Sequence, residues 1–522
     1  MTAKTRYDYL SSDRTQFLDE AEQAAELTLP YLIDRDQYTK GMRNLPTPWQ
    51  SVGAKGAVTL AAKLMQSMLP VQTSFFKLQV DESQLGQEFG PQIKSELDLS
   101  FAKIERTILE AIAASNDRVV LHEALLHLVV AGNALIFMDK DGLKVYPLSR
   151  YVVERDGNGN VIEIITKETI AKNLIADQLP EDILKEYDSV VDSSPDNVDE
   201  CDIYTHITRD NNRYVWHQEV HGKKLEKSYG KAPVDVSPWI PLRFNTVDGE
   251  DYGRGRVGQF IGDLKSLEAL SQALVEGSAA AAKVVFTVSP SSTTKPSTLA
   301  NAGNGAIVQG RPDDIGVVQV GKTADFRTAF EMMQQLERRI NEAFLVMQIR
   351  QSERTTAEEV RMTQMELEQQ LGGLFSLLTT EFLLPYLNRI LNQFQKTGKI
   401  PRLPKDIVKP TIVAGVNALG RGQDRESLGQ FLTVISQTMG PEAVQKFINP
   451  EEVIKRLAAS QGIDVLNLVR SMQEIQGEQQ QAQQMAMQQQ RQDQQVAMMK
   501  TPMMDPSKNP AIAEQMQAPP QE

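Results

Sequence analysis

Three short strings in this chain carry residue types and spacings that could do chemistry. Gly316 to Thr323 reads G-x-x-x-x-G-K-[ST], the signature of a loop whose backbone N–H groups curl around phosphates. Such a loop must be fed by a strand and followed by a helix. Its four variable positions here are Val317, Val318, Gln319 and Val320. Three β-branched residues favour an extended strand and crowd the place where the backbone should turn. The spacing therefore predicts a strand from Ile315 to Val320 and a Gly-Lys turn into a helix at Thr323. "ALIFMD", ending at Asp139, imitates the acidic strand of an ATPase, but it precedes the loop, in the reverse of the usual order. "HEALLH", His122 to His127, imitates a zinc-protease motif with one residue too many. A five-residue step leaves the two histidines about 140° apart on a helix, unable to share a metal. "GRGRVG", Gly253 to Gly258, satisfies G-x-G-x-x-G but follows a charged loop rather than a buried strand. It reads as a flexible joint before a long helix. No Ser/His/Asp constellation or isolated carboxylate pair stands out, so the chain is read as a non-enzyme with no cofactor and no metal site.

The elements around these strings are legible from periodicity. "SDRTQFLDEAEQAAELTLP" reads as a helix with Ser12 or Asp13 as N-cap and Pro30 as its end. A second helix carries Leu60, Leu64 and Met68 on one face and stops at Pro70. "FFKLQV" is a strand. Ile93, Leu97, Phe101, Ile104, Ile108 and Ile112 recur at helical spacing. "VLHEALLHLVVAG" is a helix ended by Gly132, followed by the strand "ALIFMD". "YVVERDGNGNVIEII" and "IYTHITRDNNRYVWHQEV" are hairpins, the second turning at Asp210 to Asn212. After Gly258 the character changes. Ile261, Leu264, Leu267, Leu270 and Leu274 line a helical pattern that runs through Phe286, roughly 25 residues or about 40 Å. A loop-rich insert follows, then "ADFRTAFEMMQQLERRINEAFLVM" is helical again. After the polar gap "QIRQSER", Thr356 and Glu359 form a capping box. It opens a very long helix with Leu367, Leu371, Leu374, Leu378 and Phe382 as its stripe, bent at Gly372-Gly373 and Pro385. Residues 400–475 read as shorter helices, and the Gln/Met-rich end as low-complexity.

The bounds agree with a multidomain assembly. The chain has 522 residues, 41% apolar, with a net charge of −13 and a mean hydropathy of −0.34. No apolar run approaches the ~18 residues a membrane span needs, and the N-terminus lacks a signal-peptide apolar region. The single cysteine, Cys201, excludes an internal disulfide and a cysteine zinc cluster. A protein that grips DNA over a broad face is usually basic; this one could only touch DNA locally or let it slide past. The run Ala279–Ala282 lets helices approach closely, and a head-to-tail contact between subunits repeats until it closes a ring.

Several long blocks point further. "PWQSVGAKG…LAAKLMQSMLP" (48–70), "HLVVAGNALIF" (127–137), "LSRYVVERDGNGNV" (148–161), "DGEDYGRGRVGQFIGDLKSLEAL", "VQGRPDDI", "RTTAEEVR" and "ALGRGQD" resemble, in order, the portal or head–tail connector protein of short-tailed, podovirus-type bacteriophages. The likeness covers about residues 5 to 475 and leaves out the Gln/Met tail. It implies an α+β, mainly α, phage portal fold with wing, stem, clip and crown, assembled as a homododecameric ring at one capsid vertex. Residues 1–255 would be the wing, 256–286 the first stem helix, 287–322 the clip, and 323–347 the second stem helix. Residues 348–355 would be the tunnel loop, with Gln348, Arg350, Gln351 and Arg354 at the DNA channel. The long wing helix would be 356–399, the crown 400–475, and 476–522 a low-complexity tail, disordered or helical only when bound.

The resemblance also implies a function. Double-stranded DNA is packaged and ejected through the ring. The terminase large subunit docks first, tail adaptor proteins later, with internal core, major capsid and scaffolding proteins as further neighbours and no membrane. The location would be the virion, after assembly in the host cytoplasm. An acidic channel suits this role, because each neutralised phosphate adds affinity that would slow sliding. Arg350 and Arg354 sit by position at the narrowest point; each also has Glu353 or Glu358 within reach as a salt-bridge partner. Two other classes stay open on the residues: a P-loop ATPase using Gly316–Thr323, and a scaffolding or adaptor protein that never contacts DNA.

Overall fold

A computed structural model describes residues 1–33, 45–70, 74–80, 91–139, 142–171, 200–281, 285–292, 294–303, 307–309, 311, 313, 315–318, 323–346, 371–403, 408–412, 429, 431–438, 453 and 487. The chain divides into two compact units, Met1–Ala418 and Leu419–Glu522. In the second unit residues 431–438 are helical, with Phe431 and Val434 exposed. The first unit carries every strand among the described residues.

It is α+β and mainly helical. In chain order the elements are α1 (Ala3–Glu26), α2 (Val52–Met68), β1 (Phe76–Val80), α3 (Pro91–Ala114), α4 (Asp117–Ala131), β2 (Asn133–Met138), β3 (Leu143–Tyr146), β4 (Tyr151–Arg155) and β5 (Val161–Ala171). Then come β6 (Glu200–Asp210), β7 (Arg213–Val220), β8 (Lys223–Lys224), β9 (Gly230–Pro233) and β10 (Trp239–Arg243). The last group is α5 (Ile261–Ala281), β11 (Val285–Val288), β12 (Ile315–Val318), α6 (Thr323–Ala343), α7 (Leu384–Lys396) and β13 (Val408–Ile412). All strand pairs are antiparallel: β10-β2-β3, β1-β13, β11-β12, and a sheet β4-β5-β6-β7-β8 with β9 also on β7.

The centre of the unit is α4. Leu121, Ala124, Leu125, Leu128 and Val129 are all fully buried, and Leu126, His127 and Val130 on its other flanks are buried too, so the second half of this helix is covered on every side. Leu60, Leu64 and Met68 of α2 pack in the same core, as their spacing predicts, together with Phe101, Ile104, Ile108 and Ile112 of α3. Gly132 ends α4 in the left-handed region (φ 77°), which glycine adopts without strain, and a Cβ there would lie 2.4 Å from the Gly255 nitrogen. The first hairpin turns as expected: the Asp156 carboxylate accepts from the Asn158 and Asn160 amides at 2.9 and 2.8 Å, an Asx-type turn. The second turns at Asn211, φ 52°.

Five sequence expectations need correction. The N-cap of α1 is Thr2, whose side chain accepts from the Thr5 amide, not Ser12 or Asp13. Ala3, Tyr7 and Leu10 already pack on Val152, Ile165 and Tyr204 of the sheet, so the helix starts about three turns earlier. The first long helix does not run through Phe286. After a single turn at Arg256–Gln259 it restarts as α5, described to Ala281, and Val285–Val288 is a strand; β-branched residues there pair with β12. Gly253 and Gly255 are not a flexible joint. A Cβ on Gly255 would lie 2.6 Å from the Val130 carbonyl, and the Gly253 amide and carbonyl are both held by the Asn133 side chain at 2.7 Å. Within 400–475, read as helices, Val408–Ile412 is a strand paired with Phe76–Val80. The long helix after the polar gap is interrupted: residues 371–378 are α-helical, Thr379–Leu383 is a π turn, and α7 resumes with Pro385 in its first turn. A π turn widens the ladder just before a proline that cannot donate to it. The stripe residues Leu371, Leu374, Leu378 and Phe382 are buried as predicted.

Candidate functional site: the helix pair and its insert

The feature with the strongest functional content is the antiparallel pair α5 and α6 with the insert 285–318 between them. Each helix has 21 residues, about 30 Å of length. Their pairing is fixed at three heights. Near the body, Arg339 pairs with Asp263. At mid-height Ser271 meets the Met333 sulfur at 3.8 Å. Near the insert Gly277 packs on Phe326, where a Cβ would come within 2.6 Å of the ring. A side chain at that position would have to displace the ring.

Burial falls steeply along the pair. Leu264, Leu267, Ile340 and Phe344 at the body end are fully buried. From mid-height toward the insert, Val275, Phe330 and Met332 are each about half exposed (52%, 48% and 52%). The insert opens and closes with the two-stranded ladder β11-β12, in which Thr287 lies opposite Gly316 and Phe286 opposite Val317.

That ladder bears directly on the P-loop look-alike. Gly316, Val317 and Val318 lie in β12, and the Thr287 hydroxyl donates to the Gly316 carbonyl at 3.1 Å. The strand expected from Ile315 is present through Val318, Gln319 to Lys322 lie outside the described residues, and Thr323 begins α6. The backbone at the start of the motif is therefore extended in a ladder rather than curled into a cradle. The other look-alikes fare similarly. His127 is buried and its imidazole is pushed down to about 4 by burial, whereas His122 is half-buried. Among the described residues no group of three or more His, Cys, Asp or Glu is placed to hold a metal. Asp139 follows β2 and its amide bonds to the Gly142 carbonyl.

The expected channel residues Gln348, Arg350, Gln351 and Arg354, the capping box at Thr356 and Glu359, and Leu367 all lie outside the described residues, as does the tail apart from Met487. What is described is how the chain arrives there. α6 ends against α2: Phe344 is fully buried, and a Cβ on Gly56 would lie 2.8 Å from its ring. Arg256 donates to the Ala343 carbonyl at 2.9 Å, and Lys63 donates to the Leu345 carbonyl. Burial lowers the pKa of both cations.

A second anchor sits beyond the gap. Glu381, inside the π turn, accepts from Arg243 at 3.0 and 2.6 Å, with Arg155 at 3.9 Å. Burial lowers the Arg155 pKa, opposed by Glu381. Sequence reading missed both anchors, because nothing local to Glu381 or Lys63 announces a partner more than a hundred residues away.

These features define a class: an α+β body carrying an antiparallel helix pair whose apolar residues become half exposed away from that body. No described helix is long and apolar enough to cross a membrane. Residues 1–468 match the family of bacteriophage head to tail connecting proteins, and the chain belongs to that family. It is 37% identical over 486 residues to the portal protein of Escherichia phage T7, covering 91% of this chain and 89% of the relative. The corresponding figures for the portal protein of Enterobacteria phage T3 are 38% over 480 residues, 90% and 88%. For that of Enterobacteria phage SP6 they are 31% over 458 residues, 85% and 85%.

Proposed function

We propose that this chain is a phage portal protein: a structural connector, not an enzyme, and a component of the virion capsid. The observation that carries the reading is its similarity, over about nine-tenths of its length, to the portal proteins of phages T7 and T3. The helix pair supports it. Half-exposed Val275, Phe330 and Met332 on a projecting pair are the kind of surface a neighbouring copy covers, and a heterologous contact of that kind closes into a ring. The copy number is twelve, and the bore carries double-stranded DNA in during packaging and out during ejection.

In this reading α5 and α6 are the stem, the insert with β11-β12 is the clip, and the clip is the docking platform for the terminase large subunit and later for tail adaptors. Scaffolding, major capsid and internal core proteins surround the ring, which assembles in the host cytoplasm. The wing is the body built on α4 and its sheets. Because Val408–Ile412 pairs with Phe76–Val80 in the first compact unit, the crown begins after Ala418 rather than at residue 400. Residues 348–355 form the tunnel loop. There Arg350 and Arg354, multiplied around the ring, make a positive collar in an otherwise acidic protein. At a Debye length of about 8 Å such charges reach phosphates only when DNA occupies the bore.

The test is DNA content per particle assembled with Arg350→Ala/Arg354→Ala rings. The proposal expects intact rings with reduced packaging or retention. Wild-type DNA content, or rings that fail to assemble, would remove these arginines from the channel.

A further inference from the structure

The end of α6 is built in an unusual way. The Val346 amide bonds to the Asn341 carbonyl at 2.7 Å and the Leu345 amide to that of Glu342 at 3.0 Å. These are the two bonds of a Schellman helix end, which requires a left-handed residue at the Leu345 position. Leu345 adopts it, with φ 56°. Elsewhere among the described residues the chain uses glycine for this purpose: Gly132 after α4 (φ 77°) and Gly398 after α7 (φ 73°). The other non-glycine residues with positive φ, Asn211 and His221, lie in hairpin turns, and both are types that tolerate the region. Leucine is not.

A strained residue persists only where its surroundings over-determine it, and here they do so from three sides. Phe344, immediately before it, is plugged against Gly56 of α2 and packs 6.2 Å from the Phe260 ring. The Arg256 guanidinium holds the Ala343 carbonyl through Nε and Nη2, at 3.2 and 2.9 Å. The Lys63 ammonium, reaching from α2, holds the carbonyl of Leu345 itself. Both cations meet the negative end of the helix dipole, and both do so part-buried. Without these grips the cheaper course for leucine is a right-handed conformation, which would carry α6 on past Ala343 and change the direction in which the chain leaves.

We infer that Lys63, with Arg256, is a positioning residue: it clamps Leu345 in the left-handed conformation and so aims the chain that runs from α6 toward the channel. The clamp belongs to the wing helix α2, so wing and stem are coupled at this joint. This inference rests on the reading of residues 348–355 as the tunnel loop. Lys63 touches no DNA; its effect passes through one backbone angle.

That makes a rescue experiment decisive. Full-chain rings carrying Lys63→Met keep the aliphatic stem and lose the grip. Hydrogen exchange at the Leu345 and Val346 amides should accelerate by about tenfold, the factor that matches the cost of the left-handed conformation. Particles assembled with these rings should hold less DNA. Adding Leu345→Gly, which adopts the left-handed region freely, should restore both readouts. A role in general stability alone would not be rescued by a glycine that removes further packing. Unchanged exchange in Lys63→Met, or failure of the glycine to restore it, overturns the clamp. Exchange that responds while DNA content does not overturns the positioning role. If the joint variants change DNA content while Arg350→Ala/Arg354→Ala does not, the clamp stands and the arginine collar falls.

Discussion

The two ends of the helix pair differ as if they belonged to different proteins. At the body end Leu264, Leu267, Ile340 and Phe344 are sealed in a core shared with α2 and α4, and cations cap the carbonyls of Ala343 and Leu345. From mid-height toward the insert Val275, Phe330 and Met332 stand half exposed. The first end is finished within one chain. On the proposed reading the second is covered by another copy of the chain. The proposed portal role would use both: a body that holds the helix pair at a set angle, and helix faces left for a neighbouring copy.

The contrast can be broken most forcefully at the body. Glu381→Ala would leave Arg243 and Arg155 buried without their carboxylate. Losing one partner of a buried pair costs about 3–5 kcal/mol, so thermal unfolding of the first unit should fall by many degrees. A variant as stable as wild type would show that the π turn is not anchored there. Gly255→Val comes next. Its side chain would meet the Val130 carbonyl and the Gly132 amide, backbone atoms with nowhere to move, and overpacking of this kind costs about 3 kcal/mol. A flexible joint would tolerate the change; soluble, wild-type-stable Gly255→Val protein would restore that reading.

Acid should act on the body too. His127 is buried and its pKa is lowered to about 4, below the ordinary imidazole value of about 6.5. The unfolded chain therefore binds this proton first, and stability is lost as pH falls from about 6.5 through 4. Replacing His127 by Phe should flatten the pH dependence of urea unfolding in that window; a curve of unchanged slope would place the titration elsewhere. The smallest effect on folding belongs to the exposed faces of the pair. Val275→Ser, Phe330→Ser and Met332→Ser together should shift stability by no more than about 0.5 kcal/mol each, yet abolish ring assembly on sizing columns. Normal assembly would mean that these faces are not the contact.

What could be read in the sequence follows the range of the interactions. The Asp156–Asn160 turn, the Gly132 helix end and the stripe of α2 are set by residues within a few positions of one another, and all appear as expected. The pairing of β1 with β13 joins segments more than three hundred residues apart, and no local pattern announces it. Val285 and Phe286 look like the continuation of an apolar helix until β12 provides a partner. The α6 end is the sharpest case. Sequence predicts that a helix stops near there because a polar gap follows, but a left-handed leucine held by Lys63 has no local signature. The P-loop string shows the converse: three of its residues match a motif and lie in a strand.

In the proposed ring the exposed faces of the helix pair are completed by identical neighbours around a central bore. Negative-stain electron microscopy of the purified full-length protein tests it most directly. The account predicts closed rings with a stain-filled hole, lost in the Val275/Phe330/Met332 serine variant while that variant stays folded. Wild-type protein that remains monomeric at every concentration, or rings that persist in the serine variant, would contradict it.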